Sequence, residues 1–207
     1  MMARMRLLLA SANHHKRREL SEIMSRHRLS TPDDYEMVFE YEETAETFMG
    51  NALGKAQALH GLIEQRHGDH NLVVIADDSG ICVDALDGGP GVRSARFGSA
   101  PGQPELDDEG RNQLLLEKLR GVENRSARYV CCMVAYLGID RYFMVQETWH
   151  GVIAERASDG TGGFGYDPVF YLPDLGVTVA EISAEEKHHR SHRGTAARRL
   201  TAVLNTL

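Results

Sequence analysis

The 207 residues contain no apolar run near the roughly 18 to 20 residues that spanning a bilayer requires, so a membrane protein is not expected. No early apolar stretch is followed by a small-residue cleavage site, and a cytoplasmic location is the expectation. Cysteine is scarce: Cys82, Cys131 and Cys132 are too few and too badly spaced for a disulfide framework, since adjacent residues point to opposite faces of a strand. Reduced thiols are expected. Net positive charge is also lacking, and a formal charge of -7 argues against a general nucleic-acid binder, which needs a broad cationic footprint on phosphates. A small polyanion needs only a few cations at one place. Internal repeats, low-complexity tracts and linkers are absent too, and the length, with 42% hydrophobic residues, suits one domain or two tightly associated lobes with a substantial core.

What is there alternates strand and helix patterns. Residues 5–10 form a short apolar run, followed by Ser11, Ala12 and Asn13 and a charged helix-favouring stretch over 14–26. This strand, tight turn and helix would point backbone amides at an anion. The alternation over 36–41 predicts a second strand, and after Thr47 as N-cap the spacing over 48–66 predicts a helix. The continuous apolar run 72–76 reads as a buried strand ending in Asp77, Asp78, Ser79 and Gly80, at the edge where open α/β sheets bind ligands. Residues 87–104 read as irregular, 106–119 as a helix with Leu114, Leu115 and Leu119 buried, and 127–137 with 142–153 as an antiparallel pair. A glycine-rich segment over 159–166 precedes Asp167 and Pro168. Ser183 and Glu186 have capping-box spacing, and 191–207 has the period of a terminal helix. Crossovers mixed with a hairpin predict an α/β or α+β fold on a mixed sheet.

Several side chains in this frame can carry chemistry. Two adjacent carboxylates leaving a buried strand are costly to desolvate unless something receives them. Asp77 and Asp78 are therefore either a solvated capped turn or a site for magnesium, a hard ion held by one or two carboxylates and substrate phosphates. Glu42 and Glu43 either reach the same ion or form a solvated acidic run. Lys55, within an apolar-periodic helix, either snorkels to the surface or reaches a phosphate. Gly160 to Gly165 let backbone pass close to a ligand, with Phe164 and Tyr166 offering rings for a base to stack on. Lys187, His192 and Arg193 flank the start of the last helix, where cations and free amides suit a phosphate or a carbonyl. His188, His189 and His192 lack a cysteine or carboxylate at ligand spacing and are not read as a zinc site.

In order along nearly the whole chain, these segments resemble the inosine triphosphate pyrophosphatase family, in particular its bacterial branch. The resemblance rests on Ser11-Ala12-Asn13 through Lys16, Glu42-Glu43-Thr44, Thr47-Phe48 with Asn51-Ala52 and Lys55-Ala56, and Ala76-Asp77-Asp78-Ser79-Gly80. It continues through Gly89-Pro90-Gly91-Val92, Ser94-Ala95-Arg96-Phe97, Gly162 to Pro168, Glu185-Glu186-Lys187 and Ser191-His192-Arg193-Gly194. It implies a single two-lobed domain over residues 1–207: a long mixed central sheet bent between lobes, helices on both sides, a nucleotide cleft between them, and a homodimer as the assembly. The implied activity is Mg²⁺-dependent hydrolysis of non-canonical purine nucleoside triphosphates such as ITP, dITP and XTP to monophosphate and pyrophosphate. Asp78 would be general base and a metal residue, with Glu42 ahead of Glu43 as its partner. Ser11, Ala12, Asn13, Lys16 and Lys55 would hold the triphosphate with Ser79 as a further anchor, while Phe164, Gly165, Tyr166, Asp167, Lys187, His192 and Arg193 would contact base and sugar. Two departures stand out: Ser11-Ala12 replaces the family's usual Thr-Gly, and Gly50 stands where glutamate is common. Competing readings are a pyrophosphatase of the septum-inhibitor kind, acting on pyrimidine or modified nucleotides, and a non-catalytic nucleotide sensor.

Overall fold

The computed structural model describes residues 4–11, 13–68, 72–99 and 104–207. Seven strands form one mixed sheet: β1 Arg6–Leu9, β2 Arg28–Ser30, β3 Val73–Val83, β4 Ser126–Tyr136, β5 Tyr142–Ile153, β6 Phe170–Leu172 and β7 Val177–Thr178, in the order β2-β1-β3-β4-β5-β6-β7. β1 pairs in parallel with β2 and with β3, while β5–β6 and β6–β7 are antiparallel. The helices are α1 His14–Ile23, α2 Phe48–His67, α3 Asp108–Lys118, α4 Ala184–Arg190 and α5 His192–Leu204. Among the described residues, no helix is long and apolar enough to cross a membrane.

The chain groups into two compact units. The first comprises 1–78, 131–147 and 192–207; the second, 79–130 and 148–191. In the first unit the period of two along each strand sorts side chains onto two faces. Leu7, Leu9, Val73, Ile75, Cys131 and Met133 pack with Leu20 of α1, with Met24 just past its end, and with Ala196, Ala197, Leu200 and Leu204 of α5. Leu8, Val74, Ala76, Cys132 and Val134 pack with Ala52, Ala56, Leu59 and Ile63 of α2 on the other face. Each large aliphatic side chain withdrawn completely from water, as Leu7, Leu8 and Leu9 are, contributes about 1.5 to 3 kcal/mol. The adjacent Cys131 and Cys132 fall into different clusters, and all three cysteines are free and buried.

The second unit has its own core, in which Ile81 and Val83 of β3 meet Leu115 of α3 and its C-cap Leu119, Tyr129 of β4, and Tyr166, Val169 and Phe170. Arg125 ties it together with three donated bonds, to the carbonyls of Leu119, Ile153 and Ala154, each at 2.7 Å.

Two elements differ from the sequence reading. The alternation over 36–41 does appear in the burial pattern, with Met37 buried and Val38 exposed, yet the segment is not a strand. Thr31 and Asp34 close a capping box, Pro32 starts a helical turn and Glu36 takes a left-handed φ of 53°, so the chain leaves the sheet before 37. The parallel edge strand is β2 instead. β3, expected to end near Ala76, runs on to Val83, which places Asp77 and Asp78 in mid-strand, just past the Leu9 and Ile75 pair where the ladder with β1 ends.

Candidate active site

In the first unit, α1, α2 and α5 deliver charged side chains to β3. Asn13 begins α1 by accepting the Lys16 amide hydrogen at Oδ1 (3.2 Å), and its own amide donates to Ser11 Oγ (3.2 Å). Ala12 lies outside the described residues. From the first turn of α1, Lys16 Nζ reaches Asp77 Oδ2 at 2.9 Å. Arg193, at the start of α5, sets Nε 3.4 Å from the same oxygen and donates from a terminal nitrogen to Glu19 Oε2 of α1 at 2.8 Å. Lys55, two turns into α2, donates to the Asp77 carbonyl oxygen at 3.2 Å and pairs with Glu43. Thr47 caps α2 by accepting the Gly50 amide hydrogen, as its position predicted.

Asp77 and Asp78, neighbours of the same residue type, sit in opposite electrostatic surroundings because successive strand residues face opposite sides. Burial would raise the Asp77 carboxyl, but Lys16, Arg193 and Lys55 outweigh it and hold it well below the ordinary carboxylate range. Burial, and next to it the Glu43 carboxylate, push Asp78 up to about 6 against the pull of Asn51, Lys16 and Lys55. A carboxylate so placed is poised to exchange a proton near neutral pH. Burial works against charge on Lys55 as well, and Asp77 and Glu43 more than restore it, so its ammonium is held charged. Asn51, wholly buried, donates to Asp78 Oδ2 at 2.9 Å and accepts the Ala45 amide hydrogen at 2.9 Å, tying the carboxylate, α2 and the 42–45 segment together.

Of the two glutamates, Glu43 is the one set beside Asp78 and Lys55, while Glu42 is exposed. Burial alternates from 41 to 45, so the two neighbours face opposite ways. Among the described residues, no three His, Cys, Asp or Glu side chains converge to hold a metal by themselves. At Gly50 a Cβ would lie 2.8 Å from that of Ala45, so the chain has closed over the position.

In the second unit, the turn Gly162 to Pro168 is organised by Asp167. Its Oδ2 accepts the Phe164 amide hydrogen and the Lys187 ammonium, each at 2.7 Å, and Oδ1 accepts from Tyr129 at 3.2 Å. Lys187 lies over the Phe164 ring, 4.5 Å from its centroid, a cation–π contact. Gly163 is required, because at its φ of 75° a Cβ would stand 2.0 Å from Asp167 Oδ2. Ser79 and Gly80 follow Asp78 on β3; a Cβ on Gly80 would come within 2.4 Å of the Gly91 carbonyl oxygen, which explains glycine there. Tyr166 was read as a face for stacking, but its ring is buried in the unit's core and its hydroxyl donates to the Ser94 carbonyl at 2.8 Å.

The structure thus gathers Asn13, Lys16, Lys55, Asp77, Asp78, Glu43 and Arg193 in one unit, and Phe164, Gly165, Tyr166, Asp167 and Lys187 in the other. His192, also buried, opens α5 in the first unit. Sequence reasoning passed over Glu19 and gave Asn51 no role. Glu19 lies three residues after Lys16, one helical turn on, which is the signal that could have found it.

Cations and carboxylates placed where parallel pairing ends, on an α/β sheet, define an enzyme acting on a phosphorylated small molecule. The chain belongs to the Ham1 family, whose model matches residues 7–203. It is 46% identical over 192 residues to a dITP/XTP pyrophosphatase of Treponema denticola, covering 93% of this chain and 94% of that protein. A protein of the same name from Listeria monocytogenes is 40% identical, with 94% and 92% covered. Among solved structures, the Staphylococcus aureus Ham1 protein aligns with a TM-score of 0.82 at 34% identity over 97% of this chain and 98% of that one. A nucleoside-triphosphatase, dITP/XTP pyrophosphatase, of Mycobacterium abscessus aligns at 0.73 and 36% identity, with 97% and 99% covered.

Proposed function

We propose that the protein hydrolyses non-canonical purine nucleoside triphosphates, XTP, dITP and ITP, to the nucleoside monophosphate and pyrophosphate, as a cytoplasmic homodimer. The observation that carries this reading is the convergence of Lys16, Lys55 and Arg193 on Asp77, with the proton-accepting Asp78 next in the chain. A triphosphate bears about four negative charges, and attack by water is suppressed until that charge is drawn off. Lys16 and Lys55 do this from helices already fixed against the sheet. Asp78, with Oδ2 held by Asn51, takes a proton from water at Oδ1 as the water attacks the α-phosphorus, and pyrophosphate leaves.

The residues present fit a bound Mg²⁺. Asp78 and Glu43 repel each other, so this pair is short of a cation, and beside it Asp77 Oδ1 is buried with no hydrogen bond. Asp78 and Glu43, the latter in place of Glu42, would hold the ion together with substrate phosphates. When bound, Mg²⁺ neutralises charge developing on the phosphoryl oxygens. Within the segment Phe164 to Asp167, Phe164 meets the base while Tyr166 and Asp167 hold the turn from inside, Lys187 lies over the Phe164 ring, and His192 or Arg193 donates to the 6-oxo group; adenine's amino group would leave such a donor unpaired. The test is a panel of nucleoside triphosphates with product identification. Pyrophosphate from XTP, dITP or ITP far above that from ATP or GTP is the expected result; a preference for pyrimidines or release of orthophosphate would refute it.

A further inference from the structure

Phe164 is flanked by Gly163 and Gly165, which have φ values of 75° and 64°, so the ring hangs between two flexible links. Asp167 fixes the first by accepting the Phe164 amide hydrogen. The second is fixed from α3. Asp108, in its first turn, accepts the Gly165 amide hydrogen at Oδ2 (2.7 Å), and Asn112 donates from Nδ2 to the Gly165 carbonyl oxygen (3.0 Å). Their spacing of four places both on one face of the helix. Neither is loosely held: Arg111 pairs with Asp108 while donating to the Leu106 carbonyl and, at 3.0 Å, to the Ala95 carbonyl, and Asn112 is 6% exposed.

We infer that Asp108 and Asn112 are positioning residues for substrate selection: by gripping both backbone groups of Gly165 they hold Phe164, under the Lys187 ammonium, in the place where it meets a purine base. The inference rests on the reading of Phe164 to Asp167 as the base-contacting segment. A turn ordered in advance spares the ordering cost on binding, which acts on substrate affinity and leaves the chemical step alone.

The test uses D108A, N112A and D108N in the full chain, with steady-state kinetics on XTP, thermal melting, and hydrogen exchange over 160–168. α3 keeps its N-cap in D108A, because Asp107 accepts the Gly110 amide hydrogen at 2.8 Å. Loss of one hydrogen bond should raise KM by about tenfold in D108A and N112A, with kcat within about twofold of wild type and faster exchange at the turn. D108N keeps a carbonyl to accept from Gly165 and should restore KM to within about threefold. Unchanged exchange in D108A and N112A overturns the clamp. Faster exchange with unchanged KM overturns its role in selection, together with the base-contacting assignment. A fall in kcat that tracks melting temperature at constant KM reduces both residues to structural ones. Wild-type protein inert on XTP rejects the proposed function, and the exchange data still decide the clamp.

Discussion

Asp77 and Asp78 share a side chain and a strand, and removing the charge from each should have opposite consequences. Asp77 neutralises Lys16 and Arg193 in a buried network, so D77N leaves both cations short of a partner and should cost about 3 kcal/mol or more, read as a lower denaturant midpoint. Asp78 is held in a site that resists its ionisation. D78N should cut turnover by about 10²- to 10⁴-fold, the contribution of a general base, while the fold survives. Near-normal activity in D78N would refute the assignment. In chelated protein the sign of the pH effect follows from the raised carboxyl: the folded chain binds an extra proton between the ordinary value of 3.8 and about 6. Stability from this group is full below that window and is lost as pH rises through 6, so D78N should gain on wild type between pH 4 and 7.5. Added Mg²⁺ should narrow that gap by raising the wild-type melting temperature.

At the scale of elements, legibility followed local chemistry. α2 was readable from Thr47 onward because an N-cap and an apolar stripe are both local signals, and the β4–β5 hairpin because its turn is short. The run 36–41 misled because alternation reports only that one side is buried; whether a strand pairs with it depends on the capping box at Thr31, which turns the chain away. The extension of β3 through two aspartates was illegible for a related reason, since strand propensity disfavours Asp and the compensating cations come from residues 16, 55 and 193. The glutamate choice failed to show because Glu42 and Glu43 are alike in sequence and only packing beside Lys55 and Asp78 tells them apart. Arg125 is another case in which tertiary context decides. Nothing in its sequence neighbourhood marks it, yet it ends α3 and fastens the end of β5. Three charge-assisted bonds to carbonyls make R125A a destabilising change of about 2 to 4 kcal/mol, measurable as a lower denaturant midpoint with KM unaffected in the folded fraction. A midpoint equal to wild type would show that those carbonyls are satisfied without it.

Across the whole molecule, a net charge of -7 coexists with a local cluster of three cations. Lys16 and Lys55 lie 39 residues apart and Arg193 more than a hundred residues beyond both, and they meet only because three helices pack at one strand. Such convergence cannot be read from any single window, and it was the ordered set of short motifs, spread over almost the full length, that made the family legible. The resemblance already pointed to Asp78 as the base, and the opposite electrostatic surroundings of the two carboxylates support the proposed division into a structural Asp77 and a reactive Asp78. The most direct test of that division is product analysis with purified protein, Mg²⁺ and XTP, run beside D78N. Stoichiometric XMP and pyrophosphate from wild type, and neither from D78N at comparable XTP binding, is the predicted result. Orthophosphate as the first product, or unchanged pyrophosphate release from D78N, would contradict it.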